Sequence, residues 1–330
     1  MEARRLGRTG LKTTLLGFGC GAVGGLMVKG SPADQERAVA RALELGINYF
    51  DTAPLYGNGE SERNLGRVLA KLRPDVIVGT KVRVAPADFG GIGQAIAAAL
   101  DESLQRLGRD SVDLYQLHNP IALATAGTSL AAAAVIDEVA GAFDRLRQQG
   151  KIRFAGLTAV GETAALHQVV ASGRFDTAQV SFNLLSPSPG AAVPKGFPGQ
   201  DYDRLLDRTL AADMGIIGIR ALAGGALSGS TARHPHGTAD VAPIGSGRDY
   251  AADAERARAF EPLVRDGTAG SLIELAERYA ISHPGVSTML IGYSTLEQLE
   301  VAAAAVAKGP LPASVMQRIA EIHRGFAGGA

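Results

Sequence analysis

Four residues of unlike chemistry stand in three short segments of this 330-residue chain. FDTAPLY carries the carboxylate of Asp51 and the phenol of Tyr56, GTK ends on the ammonium of Lys81, and VDLYQLH ends on the imidazole of His118. A tyrosine near its ordinary pKa of about 10 is neutral at pH 7. An ammonium held close favours the phenolate and lowers that value. Asp51 would hold the lysine in place and keep it charged, and His118 would hydrogen-bond a substrate oxygen. Such a set gives a proton donor and acceptor beside a polarised carbonyl, as hydride transfer to a carbonyl or from an alcohol requires. Each residue alone has a plainer reading: Asp51 as a loop cap, Lys81 as a surface residue, His118 as a satisfied strand-end histidine. The four at consecutive strand ends are much harder to explain that way.

The elements that must position them alternate along the whole chain. Strands are expected at Thr14–Phe18, Ile47–Asp51, Asp75–Lys81, Val112–His118, Lys151–Thr158, Asp176–Phe182, Gly215–Ala221 and Ser287–Gly292. Helical patterns lie between them: Ser31–Leu45, Ser61–Leu72, Gly91–Leu107, Val135–Gln149, Glu162–Ala171, Tyr202–Ala212, then Ala251–Val264 and Ser271–Tyr279. Ser31 suits an N-cap, with Pro32 at the first helical position and Asp34 in the first turn. Thr295 with Gln298 suits a capping box for a helix to Val306, and a last helix is expected over Ala313–His323. Several strands are apolar runs without alternation, as in strands covered on both faces. Eight strand–helix units in about 300 residues fit an α/β architecture, a closed (β/α)8 TIM barrel in one domain over residues 1–330. The segment Arg4–Thr13 reads as an N-terminal β-hairpin capping the barrel bottom. In such a barrel the site lies at the C-terminal strand ends, which is where Asp51, Lys81 and His118 fall.

Composition narrows the function classes. Thirty-three Lys and Arg balance thirty-three Asp and Glu, so there is no basic excess to draw nucleic acid. At 46% hydrophobic and 20% charged, the chain is neither disordered nor membrane-like in composition. The uncharged stretch Asn119–Ile136 is broken by Pro120 and Gly127 and reads as too short and too broken to span a bilayer. The start, MEARRLGRTG, has no apolar segment of the secretory kind. A single cysteine, Cys20, excludes an internal disulfide framework and suits a reducing cytoplasm.

Gly19-x-Gly21-x-x-Gly24 matches a dinucleotide-binding pattern, but GLMVKGSP follows where a helix should open. The other reading is a close-approach loop above the first strand. His234-Pro-His236 has a metal-site look, yet its surroundings supply too few convergent ligands. Leu184–Asp201 is a long proline-rich connection, either a substrate-covering loop or an irregular link.

With INYFDTAPLYGNGESERNLG, the GTK ending at Lys81, and DLYQLHNP in view, the chain resembles the aldo-keto reductases. The resemblance runs from LGRTGL to LIGYSTLEQL. It implies that Asp51, Tyr56, Lys81 and His118 form a catalytic tetrad with Tyr56 as general acid and base. It also implies a nicotinamide cofactor, NAD or NADP, extended across the barrel mouth without a Rossmann domain. The first-strand loop Gly19-Cys20-Gly21 would face the nicotinamide, with a small buried thiol the simpler reading of Cys20. The Ser-Asn pair that usually holds the carboxamide reads Thr158-Ala159 here, whereas the usual Gln is kept as Gln179. Ile219 replaces a stacking tyrosine. RALAGGALSG, with Arg220, Leu222 and Gly224, resembles a pyrophosphate loop.

The adenosine end would lie along Gly292 to Gln298, where Ser294 and Gln298 are polar but no residue is basic. The missing cation weakens the case for a 2′-phosphate and favours NAD, unless Arg220 or Lys308 reaches in. The expectation is an NAD(P)-dependent oxidoreductase acting on a small carbonyl compound or its alcohol, such as an aldose or alcohol dehydrogenase. A general NADPH-dependent aldehyde or ketone reductase is the alternative within enzymes. A cofactor-sensing regulatory subunit with little turnover is the alternative outside them, and a lyase or isomerase on the same barrel would need a metal or phosphate site not found here.

Overall fold

The chain opens with a hairpin of β1 (Ala3–Arg5) and β2 (Lys12–Thr14), paired antiparallel with Ala3 opposite Thr14. The strands that follow are β3 (Leu16–Gly19), β4 (Tyr49–Asp51), β5 (Ile77–Val82) and β6 (Val112–Leu117). A two-residue ladder of β7 (Ile121–Ala122) and β8 (Leu130–Ala131) comes next. Then come β9 (Ile152–Thr158), β10 (Thr177–Ser181), β11 (Gly215–Ile219) and β12 (Val286–Gly292). This computed structural model describes residues 1–245 and 248–327. Eight of the strands form a closed barrel in the order β3-β4-β5-β6-β9-β10-β11-β12, all neighbours parallel. The ring closes where Met289 to Gly292 pair with Leu16 to Gly19. The fold is thus the α/β TIM barrel expected from the strand–helix rhythm.

Residues two apart in a strand share a face, and this sorts the barrel into two cores. Leu6, Tyr49, Ile77, Leu114, Ile217 and Leu290 form a separate interior cluster. The larger cluster, with Phe18, Phe50, Val78 and Tyr115 among its strand residues, lies between the sheet and the surrounding helices. The hairpin plugs the end opposite the mouth. Leu6 is fully buried, and the Arg8 N–H donates to Asp213 O at 2.7 Å. Gly7 has φ +48°, and a Cβ there would lie 2.1 Å from the Gly215 nitrogen, so only glycine admits this approach.

Caps fix several helices as the sequence indicates. Ser31 accepts from the Asp34 N–H at 3.1 Å at the start of Pro32–Glu44. Thr295 accepts from the Gln298 N–H at 3.4 Å at the start of Leu296–Ala307. The reciprocal half of that capping box differs: the Gln298 carbonyl accepts from Ser294 N–H at 2.7 Å, one residue ahead of the cap. The helix expected from Val135 starts at Ala132, passes through a wide turn at Val135–Val139, and continues as Ala140–Gln148. The one expected from Tyr202 is shorter, Leu205–Ala211. The expected helix over Ala251–Val264 is broken into Tyr250–Ala257, a tight turn at Arg258–Phe260, and Glu261–Arg265, with Pro262 in the first turn of the last. Among the described residues no helix is long and apolar enough to cross a membrane.

Candidate active site

Asp51 ends β4 and points into the barrel, where it is almost wholly buried. One carboxylate oxygen, Oδ1, accepts from Lys81 Nζ. The other, Oδ2, accepts three uncharged donors: Tyr49 Oη at 2.8 Å, Gln116 Nε2 at 2.9 Å and Gln179 Nε2 at 2.7 Å. Lys81 Nζ also donates to Thr52 O at 2.8 Å. A buried ion pair persists when its remaining hydrogen-bonding capacity is met, and this one is nearly saturated. Burial alone would depress the Lys81 ammonium, but Asp51 and Tyr56 outweigh it and hold its pKa above the usual lysine value.

Tyr56 sits in the turn after β4, its N–H donating to Ala53 O at 3.1 Å. Lys81 Nζ lies 4.9 Å from the ring centroid, and the His118 ring meets it edge-on at 6.1 Å. The sequence predicts a depressed phenol, and the direction is the reverse. Desolvation raises the Tyr56 pKa, Lys81 pulls it down by less, and Asp51 opposes Lys81. The physical reason is burial, which disfavours the phenolate more than the ammonium favours it, while the Asp51 carboxylate cancels part of the ammonium's field.

His118 follows β6, its N–H donating to Val82 O at 2.7 Å. Its Nδ1 is buried and has no partner among the described residues. Burial first, then the positive charges of Lys81, Arg83 and Arg220, lower its pKa to about 3. It is therefore a neutral imidazole at pH 7, with one donor and one acceptor nitrogen. A phenol above a lysine–aspartate pair, beside an uncharged imidazole, can exchange a proton with a substrate oxygen and hydrogen-bond that oxygen from a second side.

The glycine-rich loop serves backbone approach. A Cβ on Gly19 would lie 2.9 Å from Ile291 O, and one on Gly24 would lie 2.4 Å from the Gly292 carbonyl carbon. A Cβ on Gly21 would touch only the Tyr56 ring, at 3.8 Å. Cys20 is buried, and its N–H donates to Asp51 O at 2.9 Å while its carbonyl accepts from Ser61 Oγ at 2.8 Å. Burial and then Asp51 push its thiol far up, so it stays protonated.

The residues expected to meet a cofactor have varied surroundings. Thr158 ends β9 with its buried hydroxyl unpartnered among the described residues. Gln179 is turned to Asp51, and Ile219 packs beside the interior cluster. Arg220 follows β11 with φ +58°, and its carbonyl accepts from Asn183 Nδ2 at 2.9 Å and Ala223 N–H at 2.7 Å. Leu222 and Gly224 belong to a tight turn where Gly224 has φ +68°. Ser294 Oγ donates to Gly24 O at 2.5 Å, next to Gly292 at the end of β12. Lys308 is ion-paired with Glu274 at 2.7 Å.

Sequence reasoning missed two parts of the site. Tyr49 and Gln116 complete the Asp51 shell; each lies two residues before a singled-out position, Asp51 or His118, so strand alternation was the available signal. The second is a strap after β11. Arg233 donates to Thr238 O at 2.5 Å, Gly224 O at 2.8 Å and Val23 O at 3.4 Å, while Thr238 Oγ1 donates to Ala22 O at 2.9 Å. His236 Nδ1 lies 3.1 Å from Ser294 O, and the His234 and His236 rings are 4.7 Å apart. Among the described residues no three His, Cys, Asp or Glu side chains group as a metal site.

Comparison with known proteins gives a consistent result. The model of the aldo/keto reductase family matches residues 15–324. An uncharacterized oxidoreductase of Bacillus subtilis is 27% identical, over 91% of this chain and 89% of that protein. L-glyceraldehyde 3-phosphate reductase of Escherichia coli is 27% identical, over 91% and 86%. L-galactose dehydrogenase of Arabidopsis thaliana is 37% identical, but the match spans about half of each chain, 48%. The holo form of an aldo-keto reductase from Bacillus halodurans superposes with a TM-score of 0.73 at 26% identity, covering 98% of this chain and 99% of that one.

Proposed function

The chain belongs to the aldo/keto reductase family and is an NAD(P)-dependent oxidoreductase, and from that premise we propose that its single barrel domain interconverts a small carbonyl compound and its alcohol through Tyr56. One observation carries the assignment of roles: the phenol lies over a buried Lys81–Asp51 pair, edge-on to an uncharged His118. A nicotinamide cofactor supplies or takes the hydride at the substrate carbon. The buried Thr158 hydroxyl, unpartnered among the described residues, fits the carboxamide of that group. Gly19, Gly21, Ile219 and the Leu222–Gly224 turn would line its course towards Gly292, Ser294 and Gln298.

In the reductive direction the Tyr56 O–H gives its proton to the carbonyl oxygen, and Lys81 stabilises the phenolate left behind. In the oxidative direction the phenolate takes the alcohol proton. The neutral His118 donates one hydrogen bond to the same oxygen and fixes the substrate's orientation. Asp51 keeps Lys81 charged and in place.

We propose NAD as the preferred cofactor. Ser294 has its hydroxyl on Gly24, the acids Asp34 and Glu297 stand near Arg37, and Arg233 is held by the carbonyls of Thr238, Gly224 and Val23. A 2′-phosphate would meet little uncompensated positive charge there. That preference favours the oxidative direction on an alcohol or sugar hemiacetal. A reducing compartment, the cytoplasm, suits the buried thiol of Cys20. Calorimetric titration with NAD(H) and NADP(H) tests the cofactor reading. Tighter NAD(H) binding is expected; tighter NADP(H) binding would overturn the preference, and no binding of either would overturn the function.

A further inference from the structure

Two arginines stand at the barrel mouth without an acidic partner among the described residues. Arg83 follows β5 and Arg220 follows β11, strands on opposite sides of the eight-membered ring. Both side chains are solvent-exposed, and among the described residues neither forms an ion pair. Glu162, in the loop after β9, accepts from the Leu123 N–H at 3.0 Å.

Both guanidinium charges act on His118, which follows β6 at the same mouth. Arg83 Nη2 donates to Thr128 Oγ1 at 3.0 Å, in the loop after β6. Asn119 ties that loop to β5, accepting from Val84 N–H at 2.8 Å and donating to Val84 O and Thr128 O. Arg220 acts on Tyr202, in the connection after β10, and on His118 across the mouth. Its charge is therefore felt on the β10 and β6 side of the mouth. Its left-handed φ is costly for a residue with a side chain, and the bonds from Asn183 and Ala223 to its carbonyl hold it there.

We propose, on the reading above, that Arg220 together with Arg83 selects a substrate bearing a carboxylate or phosphate beyond its reacting carbon. The assignment moves Arg220 from the cofactor's pyrophosphate to the substrate. Its guanidinium presents a fork of N–H donors that matches either anion in two-point geometry. Leu55 and Leu123, large apolar side chains left exposed in the loops after β4 and β6, would border the carbon chain between the carbonyl and the anion. The same two cations help to keep His118 uncharged, so the anion is drawn to the arginines and not to the imidazole.

The experiment compares matched aldehydes with NADH: succinic semialdehyde against butanal for a carboxylate, and glyceraldehyde 3-phosphate against glyceraldehyde for a phosphate. The readout is the ratio of kcat/KM, anionic to neutral, in the wild type, R220Q, R83Q and R220K. The wild type is expected to favour at least one anionic member, which identifies the anion. R220Q is expected to lower that ratio by about 10- to 100-fold, the range of a charge-assisted pair, R83Q by less, and R220K to restore part of it. A wild-type ratio near one, or a ratio unmoved in both Gln variants, would overturn the proposal. So would R220Q lowering both members equally while weakening NADH binding, which would return Arg220 to the cofactor. Failure of every aldehyde would count against the oxidoreductase reading instead. Calorimetric titration of the protein with succinate and with inorganic phosphate then decides the inference: binding lost in R220Q sustains it, and no binding in the wild type overturns it.

Discussion

The pH behaviour of this site follows from its two most perturbed side chains. With Tyr56 as the proposed proton donor, reduction needs the phenol protonated, so activity is expected below its pKa and lost above it. Because desolvation holds that pKa above 10 in the free protein, the alkaline loss of kcat/KM should fall beyond pH 10. His118, at about 3, is uncharged throughout the working range and should give no limb near 6.5. A profile flat from pH 5 to 9 is the expected outcome; an acid limb near 6.5 would show a histidine that charges in use. The His118 linkage has the opposite sense for stability. Its folded-state pKa lies below the unfolded value of about 6.5, so unfolding takes up a proton and stability falls as pH drops from 6.5 towards 3. Tyr56→Phe should retain cofactor binding and lose turnover by roughly 10²–10⁴-fold, and undiminished turnover would remove the phenol from its role.

Strands and caps were legible because their signals are local. The apolar runs of the strands, such as Val112–His118, and the Ser31-Pro32 start need only neighbours a few residues away. The strap was not legible, because its bonds join Arg233 to Val23 and His236 to Ser294, positions far apart in sequence. The hydrogen bond from Gln179 to Asp51 was hidden for the same reason: 128 positions separate them. The wide turn at Val135–Val139 leaves no mark in composition, since it lies inside a continuous helical pattern. The strap carries its own prediction. Arg233→Ala removes a donor shared by three carbonyls, each such bond worth about 1 kcal/mol net. Amide exchange across residues 230–240 should quicken by roughly 10-fold or more, with the barrel's protection unchanged. Unaltered exchange in that segment would mean the strap is held by something else.

At the scale of the molecule, the barrel is closed at one end and chemically dressed at the other. The plug depends on Gly7, whose positive φ and contact with Gly215 leave no space for a methyl group. Gly7→Ala should cost roughly 2–4 kcal/mol in denaturant unfolding, while leaving the mouth's residues where they are. A variant as stable as the wild type would show that the hairpin shifts freely. The Asp51 shell, by contrast, draws on strands β4, β5, β6 and β10, which direct Tyr49, Lys81, Gln116 and Gln179 at one carboxylate. No single replacement at position 51 can satisfy four donors at once; even asparagine would turn an N–H₂ towards at least one of them. The acid is therefore held by epistasis as much as by catalysis. A lineage abandoning the chemistry would have to change several strands together before it could release that residue, and until then the relic of an active site would persist as a requirement of folding.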